Sequence, residues 1–367
     1  MISPESRTKE WITALSQKYN YSNVVLIEKT IRAFSLLESL ARSGLPFTFK
    51  GGSCLMLHFN TEKRLSIDID IICPPGTNVE EYWGKFANDY GFQKPELIER
   101  KQLIDIPKKH AKYNYLVSYT EDRTEKILLD VLLEDHPYKT IERKAIKSPF
   151  LKTEGDDVFV NVPSMSDMLG DKLTAFAPNT TGIPYEKLNS KREKIDCSLE
   201  IIKQMFDVAC LIDAISDFKD VFEVYRKNVA VESGYRNLSG ITYVDVLNDT
   251  INTSLCLACR GYVEKENFKK LQNGVSKFKH YIYDKTSYSL EKAITDSSKV
   301  SYLCSSLLKD KTTLEKYDSD KTDDLKDAKI EAPLESPYAE WTKLNRLKIS
   351  NIEAFYYWFR TFELLKS

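Results

Sequence analysis

The chain has 367 residues, 42% of them hydrophobic, so it is long enough for two domains of about 100–200 residues, each with its own core. Its 53 Lys and Arg nearly balance its 54 Asp and Glu, which excludes a global attraction to nucleic acid or to an anionic membrane. With a polar amino terminus, no long apolar run and an odd number of cysteines, we expect a folded cytoplasmic protein with reduced thiols and no membrane span.

The first part of the chain predicts one long helix followed by short strands. Apolar residues recur at helical spacing from Ser22 until Gly44, which predicts an amphipathic helix and its end. A short strand is predicted at 47–49, and Gly51-Gly52-Ser53 then opens a segment that enters a helix. A second strand is predicted over 65–72.

Further on, the pattern predicts a β-hairpin and then a change to helices. Residues 113–119 and 127–133 read as its two strands, joined by a polar turn at 121–125, and the second strand carries Asp130. After about residue 160 the apolar spacing stays helical to the aromatic carboxyl-terminal segment, which we expect to pack onto the helical domain. We therefore predict a mixed α/β core in 1–160 and an all-α domain in 161–367.

Two acids share one face of the predicted strand, because side chains alternate and Asp68 and Asp70 are two residues apart. At about 6 Å and an effective dielectric of about 20, two carboxylates repel by about 3 kcal/mol, and Asp130 on a neighbouring strand adds to this. A divalent cation reverses the sign of that interaction, and an all-oxygen ligand set suits Mg²⁺, with Mn²⁺ as the alternative. From the pair alone, the solvated face of an edge strand is an equally good interpretation.

The glycine loop favours the metal site. Gly51 and Gly52 permit positive φ and close backbone approach, and Ser53 can offer a hydroxyl and an N–H to a phosphate at a helix N-terminus. A Gly-Gly pair after a strand is usually only a turn. Here it precedes the acidic strand by one helix length, so the order of motifs predicts a phosphate cradle and a metal seat in one pocket, as in two-metal phosphoryl chemistry.

Four motifs between about residues 47 and 210 carry a resemblance to a known family: Phe49-Lys50-Gly51-Gly52-Ser53, Arg64-Leu65-Ser66-Ile67-Asp68-Ile69-Asp70, Asp171-Lys172-Leu173-Thr174-Ala175 and Lys203-Gln204-Met205-Phe206-Asp207-Val208. With them the chain resembles the AbiEii/AbiGii-type toxins of the nucleotidyltransferase superfamily, which have a DNA polymerase β-like core. The family often has Thr in place of Ser53 and an acid in place of Gln204.

The resemblance implies roles for individual residues. Asp68, Asp70 and Asp130 correspond to metal ligands and, with Lys172, to the catalytic set; the nucleotide-binding set is Lys50, Gly51, Gly52, Ser53, Ser66, Lys172, Lys203 and Asp207. Lys172, Lys203 and Asp207 would reach the cleft from the helical domain. Taken alone, each lysine could be a solvated charge, and Lys203 with Asp207 an ordinary surface pair. The four histidines show no metal spacing, and none is assigned a catalytic role.

The resemblance also implies a polymerase β-like, Mg²⁺-dependent toxin of a toxin–antitoxin or phage-defence pair. It would transfer NMP from an NTP to an acceptor hydroxyl, with the 3′ end of tRNA as the first candidate and an AbiEi-like antitoxin as partner. Two basic stretches, 107–115 and 269–280, are candidate RNA contacts, although each could be a solvated face. The alternatives are AMPylation-like transfer to a protein hydroxyl and a non-catalytic nucleotide-binding regulatory protein.

Overall fold

The computed structural model describes residues 1–20, 23–60, 63–98, 107–120, 123–189, 191–282, 288–320 and 325–366. The chain divides into two compact units. The first comprises Met1–Ser164 and the segment His280–Tyr283, and the second comprises Met165–Lys279 and Asp284–Ser367.

The first unit combines helices with a mixed sheet, as the sequence predicts, and the sheet has seven strands in the described part of the chain. Its helices and strands in chain order are α1 (Lys9–Lys18), α2 (Val24–Arg42), β1 (Thr48–Lys50), α3 (Gly51–His58), β2 (Ile69–Cys73), α4 (Glu80–Trp83), β3 (Glu96–Leu97), β4 (Lys108–Leu116), β5 (Thr124–Leu133), β6 (Ile141–Ala145) and β7 (Phe159–Pro163).

The strands lie in the order β3-β4-β5-β2-β1-β7-β6. Strand β2 runs parallel to β5, and β1 runs parallel to β7, while the other neighbours are antiparallel. Alternate residues of the central strands are buried and form the core face of the sheet: Phe49, Ile69, Ile71, Ala111, Leu129 and Val131. Helix α2 packs on β2 and β5. The residues between these apolar positions belong to the opposite face, which we call the polar face.

Helix α2 confirms the long amphipathic helix predicted from residue 22. The Asn23 side chain caps it by accepting a hydrogen bond from the Leu26 N–H at 3.2 Å. The chain leaves the helix through Gly44, whose φ of +81° lies in the left-handed region that glycine enters without steric cost.

Strand β2 begins at Ile69, so the prediction of a strand from residue 65 is wrong at its start. The preceding backbone has other partners: the Leu65 N–H donates to the Tyr281 carbonyl at 2.8 Å, and the Asp68 carbonyl accepts from the Ser53 hydroxyl. An alternation pattern is local and cannot predict hydrogen bonds to partners so distant in sequence. Asp68 therefore lies just before the strand rather than within it.

The predicted hairpin is confirmed as β4 and β5, with Asp130 on the second strand. Its first strand starts earlier than predicted and includes the basic stretch from Lys108. The turn lies between Leu116 and Thr124, which are paired. The predicted turn at 121–125 falls partly outside the described residues, and the observed register centres the turn nearer the amino terminus.

Among the described residues of the second unit, the regular elements are helices and one small β-ladder. Its elements are α5 (Met165–Ala175), β8 (Glu186–Leu188), β9 (Lys194–Asp196), α6 (Ser198–Ala214), α7 (Lys219–Tyr235), α8 (Tyr243–Ala258), α9 (Lys265–Phe278), α10 (Leu290–Leu308), α11 (Leu347–Ser350) and α12 (Ile352–Lys366). The expectation of helices alone missed the β8–β9 ladder, whose turn is held by the Asn189 side chain, which accepts from the Lys191 and Glu193 N–H groups at 2.9 Å.

Helix α10 forms the centre of the second unit. It is buried along nearly all of its length and packs against α6, α8 and α12. The aromatic helix α12 packs inward as predicted, because Phe355 and Trp358 are fully buried and Trp341 meets Trp358 edge to face at 5.2 Å. No helix in the described part of the chain combines the length and apolar character needed to cross a membrane.

Candidate active site

Four polar residues stand at paired positions on four adjacent strands. Lys50 of β1 is opposite Asp70 of β2, Asp70 is opposite Asp130 of β5, and Asp130 is opposite His110 of β4. Directly paired residues project to the same face of a sheet, and here that is the polar face. The fold thus brings two of the three predicted carboxylates into one row with a predicted lysine.

The Asp70 carboxylate lies over the backbone of Gly51. A Cβ atom at Gly51 would stand 2.1 Å from Oδ2 of Asp70, and the φ of Gly51 is +78°. No side chain can occupy that position while Asp70 keeps its place. Gly51 is therefore required by the approach of the carboxylate as well as by its own backbone conformation.

Gly52 is covered by two residues that precede the strand. A Cβ at Gly52 would lie 2.5 Å from Nη2 of Arg64 and 3.0 Å from Oγ of Ser66. Arg64 is buried, and its Nη1 donates to the Leu65 carbonyl at 3.1 Å. Ser66 thus lies against the glycine loop. It is outside β2, so its position does not follow from the alternation of side chains along that strand.

Ser53 and Asp68 are joined through a hydroxyl and a backbone carbonyl. The buried Ser53 hydroxyl donates to the Asp68 carbonyl at 2.5 Å, while the Asp68 residue itself is exposed. The hydroxyl thus fixes the backbone that leads into β2. Helix α3 starts at Gly51 with Lys50 as its N-cap and no side-chain cap, so its first-turn N–H groups are the ones a phosphate could accept from.

Lys50 is half-buried beside an aromatic ring. Its Nζ lies 6.0 Å from the centroid of the Tyr138 ring, a cation–π distance typically worth about 0.5–1 kcal/mol. Tyr138 is itself buried and stacks on His136 at 5.5 Å. The contact orients the side chain of Lys50, the residue that directly precedes the glycine loop.

The carboxylates suit a hard divalent cation that binds together with its substrate. Among the described residues, no three His, Cys, Asp or Glu side chains form a ready-made metal cage. Mg²⁺ requires none, because it typically takes one or two carboxylates and completes its shell with phosphates and water. Asp70 and Asp130 at paired positions, with the exposed Asp68 just upstream, supply such an oxygen set. The residues therefore fit Mg²⁺ or Mn²⁺.

His110, which the sequence left without a role, is in contact with the acidic row. Its Nδ1 lies 2.6 Å from Oδ1 of Asp130, and the imidazole is buried. The sequence analysis missed this pair because it placed the hairpin turn too close to the carboxyl terminus. With that turn, Asp130 would pair with a residue nearer the carboxyl end of β4 than His110. A turn placed between Leu116 and Thr124 would have paired the two residues.

A buried ion pair lies inside the second unit. Nζ of Lys172 on α5 is 3.0 Å from Oδ2 of Asp207 on α6 and donates to Oε1 of Gln204 at 3.0 Å. Lys172 and Asp207 are 7% and 2% exposed, which excludes both the solvated lysine and the ordinary surface pair. Lys203, on the same helix, is half-buried. Gln204, where the family often has an acid, accepts from Lys172 without adding a charge.

Both basic stretches contain lysines that form ion pairs. In the second stretch, Lys269, Lys270 and Lys277 each form an ion pair, with Glu266, Glu186 and Asp196 respectively. In the first stretch, Lys109 pairs with Glu80 of α4 at 2.6 Å. Alternation along β4 puts Lys108 and Lys112 on the polar face with His110. The first stretch therefore flanks the candidate site on its own strand.

We compared the sequence with known proteins and protein families to identify the family to which this site belongs. No curated protein matches the sequence. The family model described as "Nucleotidyl transferase AbiEii toxin, Type IV TA system" matches residues 35–259, which include every candidate site residue from Lys50 to Asp207 and more than half of the 367 residues. Such a toxin implies an antitoxin as its partner. The chain thus belongs to the AbiEii family of nucleotidyl transferase toxins of type IV toxin–antitoxin systems.

Proposed function

We propose that the chain is an Mg²⁺- or Mn²⁺-dependent nucleotidyltransferase with a polymerase β-like core, which transfers NMP from an NTP to the 3′-terminal hydroxyl of tRNA. It would act as the toxin of a phage-defence pair, and an AbiEi-like antitoxin would restrain it. The observation that carries the proposal is the row of Lys50, Asp70 and Asp130 beside the glycine loop, in a chain of this family.

We assign the residues of the first unit two roles, which are binding of the phosphates and activation of the acceptor hydroxyl. Gly51 leaves room for Asp70, and Gly52 leaves room for Arg64 and Ser66. The first N–H groups of α3, which begins at Gly51, would receive the phosphate oxygens. Asp68, Asp70 and Asp130 would hold the divalent ion, and Asp130 is the acid assigned to the side of the attacking hydroxyl. When bound, the ion supplies charge stabilisation of the attacking and leaving oxygens.

Lysines would neutralise the departing pyrophosphate. Lys50 directly precedes the glycine loop, and its half-buried ammonium is held near Tyr138. Lys172 has three donors, of which two serve Asp207 and Gln204, so one can serve a phosphate. Ser66, Lys203 and Asp207 complete the proposed nucleotide contacts.

A second candidate is transfer to a protein hydroxyl. The observation that favours it is the neutralisation of Lys269, Lys270 and Lys277 by acids of the same unit, which removes one of the two cationic surfaces an RNA would use. Lys108 and Lys112 on the polar face of β4 favour RNA. The first candidate is retained because these two lysines share a strand face with His110 in the acidic row.

One assay separates the two acceptors. Purified protein is incubated with Mg²⁺ and each α-³²P-labelled NTP, together with either total tRNA or total cellular protein. The proposal predicts label at the 3′ end of tRNA, removable by a 3′-exonuclease. Label in protein alone supports the second candidate, and the absence of transfer from every NTP contradicts nucleotidyl transfer to these acceptors.

A further inference from the structure

We infer that His110 is a positioning residue, which fixes the Asp130 carboxylate through an Nδ1–H···Oδ1 hydrogen bond. The inference rests on the proposed function, because it gives Asp130 a part in the transfer reaction. It adds to that site a histidine from the neighbouring strand, which acts through the carboxylate rather than on the substrate.

The hydrogen bond is short, and the register of the hairpin places its two residues opposite each other. Nδ1 of His110 lies 2.6 Å from Oδ1 of Asp130, and the two residues are directly paired between β4 and β5. An ionised carboxylate can only accept, so a hydrogen bond at this position requires Nδ1 to carry a proton. The other ring nitrogen, Nε2, is buried and has no hydrogen-bond partner among the described residues.

The unpartnered Nε2 argues against a purely structural histidine. A buried polar atom without a partner costs about 1–3 kcal/mol, so an apolar residue at position 110 would be at least as stable. Asp130 is partly exposed, with 39% of its side chain accessible, so water could replace the bond to His110. Compared with an apolar residue at this position, histidine adds a hydrogen bond that orients the Asp130 carboxylate.

The orientation matters because Asp130 stands beside Asp70. Like charges at paired positions repel, and a carboxylate free to rotate would turn away from its neighbour. A hydrogen bond to one oxygen restricts that rotation and leaves the second oxygen for other ligands. Removal of such a partner behind a ligating carboxylate typically costs about 10–100-fold in activity or metal affinity.

Two amide variants distinguish the ring nitrogens. His110→Asn puts an amide nitrogen near the position of Nδ1, whereas His110→Gln puts it near Nε2. We expect His110→Asn to retain most of the wild-type kcat and His110→Gln to lose about 10–100-fold. KM for the NTP should stay unchanged in both, because a positioning residue acts on the Asp130 carboxylate and not on the nucleotide. Equal kcat in all three proteins, or a better Gln than Asn variant, would overturn the inference.

Two readouts do not depend on turnover. His110→Leu removes the unpartnered Nε2, so its Tm should equal or exceed that of wild type while kcat falls; a lowered Tm would indicate a structural role. In ¹⁵N-labelled wild-type protein, NMR should find the His110 ring protonated at Nδ1, and protonation at Nε2 alone would contradict the inference. If wild type transfers no nucleotide, the proposed function fails, and the tautomer still decides whether the bond exists.

Discussion

At the scale of single residues, the position of Asp70 depends on the missing side chain of Gly51. Gly51→Ala would bring a Cβ within 2.1 Å of the carboxylate and would also strain a backbone at φ +78°. We predict a loss of stability of at least about 1–2 kcal/mol from the backbone alone, and a large fall in kcat because Asp70 must move. Urea unfolding and the rate of NMP transfer measure the two effects.

Gly44→Ala is the matched control. Its φ of +81° imposes the same backbone strain, but a Cβ there meets nothing within 4 Å. It should therefore lose a similar amount of stability and keep its activity. If the two variants lose activity equally, displacement of Asp70 is not the cause.

The candidate residues show where sequence reasoning succeeds and where it ends. Asp70 and Asp130 lie on strands whose apolar alternation is local, so their strands and common face could be predicted. The start of β2 could not, because it depends on a hydrogen bond from Leu65 to the distant Tyr281. The partner of His110 was missed through an error of a few residues in the hairpin turn, since register converts a small shift into a different pairing.

At the scale of secondary-structure elements, Lys172 on α5 and Asp207 on α6 form a pair that carries both stability and function. Lys172→Ala removes one partner from the buried Asp207, and we predict a loss of about 1–3 kcal/mol in unfolding free energy. Transfer should fall as well, because the ammonium group proposed to bind phosphate is removed. Lys172→Arg keeps the charge and should retain more activity than Lys172→Ala.

A double variant separates the two effects. Lys172→Met with Asp207→Leu replaces the ion pair by apolar side chains of similar size, which is often neutral or stabilising in a buried site. Thermal unfolding should therefore return towards wild type while NMP transfer stays low. Wild-type transfer by this double variant would reduce Lys172 to a purely structural residue.

The helical elements were the easier part to predict. The aromatic helix α12 packs inward because its large side chains recur at helical spacing, which is a local property. The contact between Asp207 and Lys172 is not local in sequence. The i,i+4 spacing relates Asp207 only to Lys203 on its own helix, and the packing of α5 on α6 brings in Lys172. Contacts between elements thus decide the site, and a single sequence does not contain them explicitly.

At the scale of the whole molecule, a net charge of −1 leaves RNA binding to local patches. Lys108 and Lys112 lie on the polar face of β4, whereas Lys109 faces the other way and pairs with Glu80. We predict that Lys108→Glu and Lys112→Glu weaken tRNA binding and lower the slope of log Kd against log salt by about 0.7–0.9 for each phosphate that the variant no longer neutralises. Filter binding over a salt series measures both.

Lys109→Glu is the matched control on the same strand, with the same change of charge. It should bind tRNA nearly as wild type does, and all three variants should bind NTP normally. Equal weakening by all three would indicate a general effect of net charge, and no weakening by Lys108→Glu or Lys112→Glu would remove β4 from the RNA surface.

The most direct test of the acidic site is NMP transfer by Asp68→Ala, measured together with its Tm. Asp68 is exposed, so its removal should change Tm little, as for most surface substitutions. Transfer should fall at least about a thousand-fold, because several kcal/mol of charge stabilisation is removed. Asp157→Ala, which removes an exposed acid paired with Lys147, should keep full activity. A folded Asp68→Ala protein that transfers NMP at the wild-type rate would contradict the assignment.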